Sequence, residues 1–250
     1  MLLAYYIADV NIESVYQDIM RPNDYVDFDG ICLTDTFQIN ENDDMAMFSE
    51  YFADNSKGVI EQKKAPIRVI IGNPPYSVGQ GSANDNAANL HYPLLDKRLA
   101  ETYAQNTSSQ NKNSLYDSYI KAFRWASDRI AQNPEGGIVS FISNGSWIDG
   151  NAQDGFRKCL EEEFSSIYVL NLRGNARTSG ELRRKEKDNV FGQGTRTTIT
   201  ITILVKNPKK TGKAEIFYHD IGDYLSRDDK LKLVKDFRSI SEKKTRMDKN

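Results

Sequence analysis

Four consecutive residues, Asn73-Pro74-Pro75-Tyr76, combine groups that could carry out chemistry at the end of an apolar run. The exocyclic amine of adenine is a poor nucleophile, because its lone pair is delocalised into the ring. The Asn73 side-chain oxygen and the Pro74 carbonyl could accept hydrogen bonds from its two N–H groups, with the Pro75 ring holding that carbonyl rigid. Tyr76 could stack on the base. The pattern favours methylation of a planar amino nitrogen by a sulfonium methyl donor, a reaction that requires no metal.

The residues before this tetrapeptide predict the strand that must position it. Ala65–Gly72 is short, β-branched and apolar on both faces, as in the middle of a parallel sheet. Ligands of open α/β sheets lie beyond the carboxyl ends of the strands, and two prolines cannot continue a strand. The tetrapeptide is therefore expected at the rim of a ligand site. The alternative is a tight turn with no chemical role, since Asn-Pro is common in turns.

Strand and helix patterns alternate along the chain, which predicts an α/β fold. Helical spacing is present at residues 2–20, 114–130 and 151–164. Strands are predicted at Gly30–Phe37, Ala65–Gly72, Gly137–Ser143, Ser165–Leu172 and Thr195–Lys206. The last alternates isoleucine with threonine, which indicates an antiparallel strand with one face less buried. The order predicts a Rossmann-like S-adenosylmethionine-dependent methyltransferase fold, mostly parallel with an antiparallel last strand.

Residues 77–114 are predicted to be a long irregular loop with one helical turn near residues 93–104. Fourteen of these 38 residues are Asn, Gln or Ser. A loop of this length in a compact domain is usually functional or disordered.

The composition is that of a globular soluble protein without a membrane partner. Hydrophobic residues make up 39% and charged residues 27% of the 250 residues. No apolar stretch approaches the ~20 residues that span a bilayer, and no secretory signal follows Met1. Cys32 and Cys159 lack metal-site spacing and are expected to be reduced thiols. These features predict a cytoplasmic protein.

The net charge of −2 hides an uneven distribution. Residues 1–63 carry 13 acidic and 3 basic side chains, whereas residues 206–250 carry 13 basic and 8 acidic ones. Arg173–Lys187 holds six basic and two acidic residues. Such asymmetry is typical of a protein with one face toward a polyanion; a solvated lysine-rich surface is the alternative.

Seven segments in order resemble one protein family. They are LLAYYIADVNIE, LTDTF, GNPPYS, LYDSYIKAFRWA, GIVSFISNGSWI, LNLRGNARTSGE and NVFGQGTRTTITITILVK. Together they cover roughly residues 1–206 and resemble the gamma-type N6-adenine DNA methyltransferases, most closely the methyltransferase region of single-chain type ISP restriction-modification enzymes. The resemblance implies transfer of a methyl group from S-adenosylmethionine to the N6 amine of adenine in double-stranded DNA. The target base is expected to be flipped out of the duplex.

The resemblance also implies roles for individual residues. Asp35 would accept a hydrogen bond from the adenine amine of the cofactor, with Phe37 near the cofactor ring. Phe191 would place a second aromatic ring against the flipped base. An aspartate in a strand-end turn and a phenylalanine that anchors a loop are the respective alternatives.

The basic stretch between the last two predicted strands is expected to contact DNA phosphates. Its candidate residues are Arg173, Arg177, Arg183 and Arg184. A merely solvated loop is the alternative.

The resemblance predicts a catalytic core at residues 1–206, truncated at its N-terminus because the glycine-rich cofactor loop of the family would lie upstream. Residues 207–250 are predicted to be a basic extension that leads toward a target-recognition domain. In the family, a nuclease and a DNA-translocating ATPase precede the methyltransferase in the same polypeptide.

Two other functions remain open from the residues. The first is an amino-group methyltransferase that acts on protein glutamine or on RNA. The second is a catalytically incompetent scaffold fragment that binds DNA or a partner domain.

Overall fold

The computed structural model describes residues 2–21, 25–28, 30–38, 41, 53–76, 91–237 and 239–240. They divide into two compact units, Met1–Ala65 (unit 1) and Pro66–Asn250 (unit 2). No helix among these residues is both long and apolar enough to cross a bilayer.

The described residues of unit 1 form two helices, α1 (Leu2–Met20) and α2 (Ala53–Lys64). The strand predicted at Gly30–Phe37 is wrong, because these residues form turns and irregular backbone. The side chain of Asn55 on α2 takes the place of a strand partner: its Oδ1 accepts from the Leu33 N–H at 2.7 Å, and its Nδ2 donates to the Leu33 carbonyl at 3.0 Å. A side chain thus satisfies backbone groups that a sheet would otherwise pair.

Unit 2 is built on a five-stranded sheet. Its strands are β1 (Val69–Gly72), β2 (Gly137–Asn144), β3 (Ser166–Asn171), β4 (Ile199–Lys206) and β5 (Glu215–Asp220), in the spatial order β1-β2-β4-β3-β5. The β1/β2 and β3/β5 pairs are parallel, whereas β4 is antiparallel to both of its neighbours. Four strands therefore share one direction, which confirms the predicted mostly parallel sheet with a reversed strand.

In the described part of unit 2, five α-helices accompany this sheet. They are α3 (Pro93–Leu99), continued by a π-helical turn at Ala100–Ala104, α4 (Ser118–Ala131), α5 (Asp154–Glu163), α6 (Gly180–Glu186) and α7 (Arg227–Asp236). Of the predicted long loop, residues 77–90 lie outside the described residues. The remainder is more regular than predicted, because α3 and the π turn span residues 93–104.

The core lies between the sheet and the apolar faces of α4 and α5. The apolar residues that give residues 114–130 their helical spacing are all buried: Leu115, Tyr119, Phe123, Ala126 and Ile130 are at most 1% exposed. The Phe123 ring makes edge contacts with Phe141 of β2 and Phe156 of α5. Burial of each such ring stabilises the fold by about 1.5–3 kcal/mol, so these contacts hold the two helices on the sheet that positions the site.

Strand β1 occupies an edge of the described sheet, whereas the sequence predicted a central strand. Its recorded pairing is with β2, and Val69 and Ile71 remain 54% and 78% exposed. The described residues of unit 2 thus leave apolar side chains of β1 exposed.

The segment after Lys206 folds onto the sheet, which the sequence did not predict. Strand β5 adds to β3 in parallel register, from Ser166↔Glu215 to Asn171↔Asp220. Strand β4 buries its threonine face, since Thr200 and Thr202 are fully buried. Its half-buried isoleucines, Ile201 and Ile203, instead line an apolar cavity of about 410 Å³ beside α7.

Candidate functional site

The tetrapeptide lies directly after β1, at the carboxyl end of that strand. Asn73 and Pro75 are exposed, whereas Pro74 and Tyr76 are half-buried. Gly72, the last residue of β1, lies close to the Phe141 ring, and a Cβ there would meet that ring at 3.2 Å. The strand therefore packs closely just before the tetrapeptide and leaves the Asn73 amide accessible.

Tyr76 turns its ring inward. The ring meets Tyr119 of α4 edge-on at a centroid distance of 6.2 Å. It also packs against a buried cluster of Leu172, Val190, Ile199 and Ile221 (the rim cluster). The Tyr76 hydroxyl is buried, with no hydrogen-bond partner among the described residues. Burial, with a smaller effect of the Asp117 carboxylate, raises the pKa of Tyr76 to about 12, so the phenol is neutral at physiological pH.

Asp117 and Tyr119 are neighbours of the tetrapeptide that sequence reasoning did not single out. Asp117 is the N-cap residue of α4, is 2% exposed, and has extended backbone that separates α4 from the preceding 3₁₀ turn. Burial and the charge of Asp117 raise the pKa of Tyr119 as well. The only local signal was the string LYDSY at the start of the helix.

Phe191 lies on the loop between α6 and β4 and is 45% exposed. The preceding residue, Val190, is buried in the rim cluster against which Tyr76 packs. The structure thus brings the Phe191 segment and the tetrapeptide to a common apolar cluster. An exposed aromatic ring on a fixed backbone is suited to stack on a planar ligand.

Asn189 holds this loop together and was not singled out from the sequence. Its Oδ1 accepts from the Phe191 N–H at 2.9 Å. Its Nδ2 donates to the carbonyls of Gly174, at 3.2 Å, and Thr197, at 2.9 Å. Asn189 is buried, with 7% of the residue exposed. One amide therefore links three chain segments at the site.

Arg173 is engaged within the protein. Its Nε donates to Asp220 Oδ1 at 2.7 Å, and its Nη1 is paired with Asp223. Its backbone adopts a positive φ of 54°. These two ion pairs join the basic segment to the end of β5 and the turn after it, so a phosphate would have to compete with two carboxylates.

The other predicted phosphate contacts differ in accessibility. Arg177 is exposed. Arg184 is exposed and pairs with Glu181 at 3.2 Å, and Arg183 donates to the Lys187 carbonyl. Exposed pairs of this kind are weak, which leaves Arg177 and Arg184 the better placed of the four to meet an external anion.

Asp35 and Phe37 belong to unit 1, where they share one turn. Asp35 Oδ1 accepts from the Phe37 N–H at 3.0 Å, and the Asp35 carbonyl accepts from the Gln38 N–H at 3.0 Å. Both residues are half-buried. A separate acidic cavity of about 560 Å³ in unit 1 has neither residue in its lining.

Comparison with known proteins identifies relatives. The profile of the Eco57I restriction-modification methylase family matches residues 7–176. Among solved structures, the chain is 45% identical to a nuclease-deletion mutant of the Type ISP restriction-modification enzyme LlaGI in complex with a DNA substrate mimic, with a TM-score of 0.91 over 100% of the chain. It is 41% identical to the ATP-dependent Type ISP enzyme LlaBIII bound to DNA, with a TM-score of 0.90 over 99% of the chain. No curated protein matches it.

A further similar structure is the DrdV–DNA complex, at 38% identity and a TM-score of 0.84 over 98% of the chain. The chain spans 20%, 17% and 23% of the length of the LlaGI, LlaBIII and DrdV chains, respectively.

Proposed function

This chain belongs to the Eco57I restriction-modification methylase family, and on that premise we propose that it transfers a methyl group from S-adenosylmethionine to the N6 amine of adenine in DNA. The observation that carries the proposal is the position of Asn73-Pro74-Pro75-Tyr76 at the carboxyl end of a parallel strand, with the Asn73 amide exposed. Ligands of α/β sheets bind at this edge.

The chemistry of the chain's own residues is electrostatic. Asn73 Oδ1 and the Pro74 carbonyl would accept the two N–H groups of the target amine, which draws its nitrogen toward a tetrahedral shape and frees the lone pair for attack. The Pro75 ring limits movement of the Pro74 carbonyl, so the acceptors are in place before the reaction. After transfer, the excess proton can leave along one of these hydrogen bonds toward solvent at Asn73. S-adenosylmethionine, when bound, supplies the electrophilic methyl group.

The target base would be held by two aromatic rings. Phe191 is exposed and its backbone is fixed by Asn189, which favours stacking on a flipped adenine. Tyr76 contacts the rim cluster with part of its ring, and we propose that its remaining surface supports the base beside Asn73.

The cofactor would be held in part by Asp35 and Phe37. A carboxylate and a phenyl ring suit an adenine moiety, because one can accept from its amine and the other can pack on its plane. The hydrogen bond from the Phe37 N–H to Asp35 keeps the two residues in one turn. A carboxylate and an aromatic ring held together in this way fit the proposed role.

The DNA backbone is the proposed partner of Arg177 and Arg184, which are exposed. Arg173 and Arg183 remain proposals for phosphate contact, although their guanidinium groups bond within the protein. Since the LlaGI and LlaBIII structures contain DNA or a DNA mimic, double-stranded DNA is a better-supported substrate than protein glutamine or RNA. We also propose a cytoplasmic location.

The whole protein is proposed to be a longer restriction-modification enzyme. The chain spans about a fifth of its Type ISP relatives, and we propose nuclease, ATPase and target-recognition domains in the same polypeptide. The domain limits of 1–206 and 207–250 stay a prediction.

The decisive test replaces Asn73 in the full-length protein. Asn73→Ala removes one acceptor, and we expect tritium transfer from labelled S-adenosylmethionine to DNA to fall by at least about 100-fold, as when one preorganised donor is removed from other active sites. DNA binding should remain, because phosphate contacts dominate affinity. Asn111→Ala, at an exposed position in the same unit, is the control. Methyl transfer retained in Asn73→Ala would refute the assignment.

Cofactor binding is tested separately by calorimetric titration with S-adenosylmethionine. Binding by the full-length protein and by this chain supports a catalytic unit. Binding by the full-length protein alone would favour the scaffold function for this part of the polypeptide.

A further inference from the structure

Lys230 of α7 is a buried cation to which neither the family resemblance nor the proposed chemistry gives a role. The residue is fully buried, and its Nζ donates to the carbonyls of Glu186, at 3.0 Å, and Asp188, at 2.7 Å. Burial lowers the pKa of Lys230. A lysine is almost never fully buried unless its ammonium is bound, so these carbonyls account for its position.

The two carbonyls lie where α6 ends. The helix stops at Glu186, and Lys187 leaves it with a positive φ of 45°. The last carbonyls of a helix lack intrahelical partners and carry partial negative charge. The Lys230 ammonium therefore binds the end of α6 and the first residues of the loop that follows.

A second residue of α7 binds the same loop. Arg227 Nε donates to the Val190 carbonyl at 3.0 Å, and the Arg227 N–H approaches Asp188 Oδ2 at 3.4 Å. Helix α7 thus contacts the carbonyls of residues 186, 188 and 190, which lie at the end of α6 and in the loop that follows it. Phe191 comes next in the chain.

We propose that Lys230 and Arg227 are positioning residues for base capture, because they fix the backbone that presents the Phe191 ring. This inference rests on the proposed function, in which Phe191 contacts the flipped base. An aromatic ring on an ordered loop captures a ligand without the entropy cost of immobilising the loop on binding. Release of the loop should therefore reduce the fraction of bound DNA in which the base is held out of the helix, with little effect on the phosphate contacts.

The experiment uses the full-length protein and a duplex with 2-aminopurine at the target adenine, a position first located by mapping the methylated base. Lys230→Met keeps the length of the side chain and removes the ammonium. Lys232→Met is the matched control, since Lys232 is exposed on the same helix. Arg227→Ala is a second variant at an exposed residue, and Phe191→Ala sets the signal expected when base contact is lost. Thermal unfolding and the Kd for DNA are recorded for each.

We expect the 2-aminopurine fluorescence at saturating DNA to fall by about tenfold in Lys230→Met. The single-turnover methylation rate, measured on the same duplex with adenine at the target position, should fall with it. Arg227→Ala should show a smaller fall, and Lys232→Met should match the unaltered protein. A folded Lys230→Met with unchanged fluorescence overturns the inference. If Lys230→Met does not fold, unchanged fluorescence in Arg227→Ala overturns it.

Failure of the inference is distinguishable from failure of the proposed function. A reduced signal in Phe191→Ala with unchanged signals in both α7 variants refutes only the role of α7. No methylation by the unaltered protein, or methylation retained in Asn73→Ala, refutes the proposed function itself.

Discussion

Asn73 and Tyr76 are three residues apart but have different surroundings. Asn73 is exposed at the end of β1, whereas the Tyr76 hydroxyl is buried without a partner among the described residues. An exposed amide can reach an external amine, and a half-buried ring can support a base while it anchors the turn. A buried hydroxyl without a hydrogen bond costs about 1–3 kcal/mol of desolvation. The Tyr76 ring, and not its hydroxyl, therefore stabilises the fold here.

At this scale we predict that Tyr76→Phe keeps methylation and raises the free energy of unfolding slightly, because it removes only the unpaired hydroxyl. Tyr76→Ala should reduce both the methylation activity and the free energy of unfolding, since it removes the ring contact with the rim cluster. Methyl-transfer assays and chemical denaturation of the two variants measure the difference. A large loss of activity in Tyr76→Phe would mean that the hydroxyl acts in the reaction.

The pKa of Tyr76 adds a pH dependence. In the unfolded chain the phenol ionises near 10, but in the folded protein only near 12. Its neutral form is favoured by folding, so this contribution to stability is constant below pH 10 and is lost as the pH rises toward 12. The stability advantage of Tyr76→Phe over the unaltered protein should therefore grow between pH 9 and pH 11.5, as measured by thermal unfolding. A constant difference would contradict this.

At the scale of elements, α4 and α5 are joined by an ion pair. Arg124, which is 2% exposed, donates from both terminal nitrogens to Glu163, at 2.7 and 2.9 Å, and also to Asp128 at 2.8 Å. A bidentate pair of this kind fixes orientation as well as distance. Because α4 also carries Tyr119, the neighbour of Tyr76, this pair helps to position the tetrapeptide.

We predict that Arg124→Met destabilises the protein by about 1.5–3 kcal/mol, because Glu163 loses its bidentate partner whereas Asp128 keeps its pair with Arg98. Arg129→Met on the same helix is the control, since Arg129 is only half-buried and bonds to Gln132 in the next turn. Urea denaturation of both variants gives the comparison. Equal stability of the two would show that the pair does not support the helix packing.

For the whole molecule, the segment after Lys206 is part of the folded unit. Strand β5 pairs with β3, Ile221 belongs to the rim cluster, and Leu225, Leu233 and Val234 pack against it. The segment that the sequence set apart from the core therefore contributes to the apolar support of Tyr76.

We predict that a chain ending at Lys206 loses cooperative thermal unfolding, whereas a chain ending at Ile240 keeps it. Removal of β5 and α7 exposes the edge of β3 and part of the rim cluster. An unpaired strand edge next to exposed apolar side chains favours aggregation. Calorimetry and light scattering compare the two chains. Equal unfolding temperatures would instead support residues 1–206 as an independent core.

Local patterns in the sequence determined the tetrapeptide and its strand, the order of most helices and strands, and the helical spacing of α4 and α5. Periodicity reports which side chains share a face, and two prolines after an apolar run report where a strand ends. The strand predicted at Gly30–Phe37 was wrong, because a strand also requires a partner strand. The Asn55 side chain binds the backbone of Leu33 instead.

Only the tertiary structure decided which polar groups meet. Lys230 and Glu186 are 44 residues apart, and Arg173 and Asp223 are 50 apart, so no spacing in the sequence marks either pair. The tertiary structure also decided which face of β4 is inside. Its threonine face is buried, although isoleucine is the more apolar residue. A period of two gives two faces, and only the packing of helices on one of them selects which is inside.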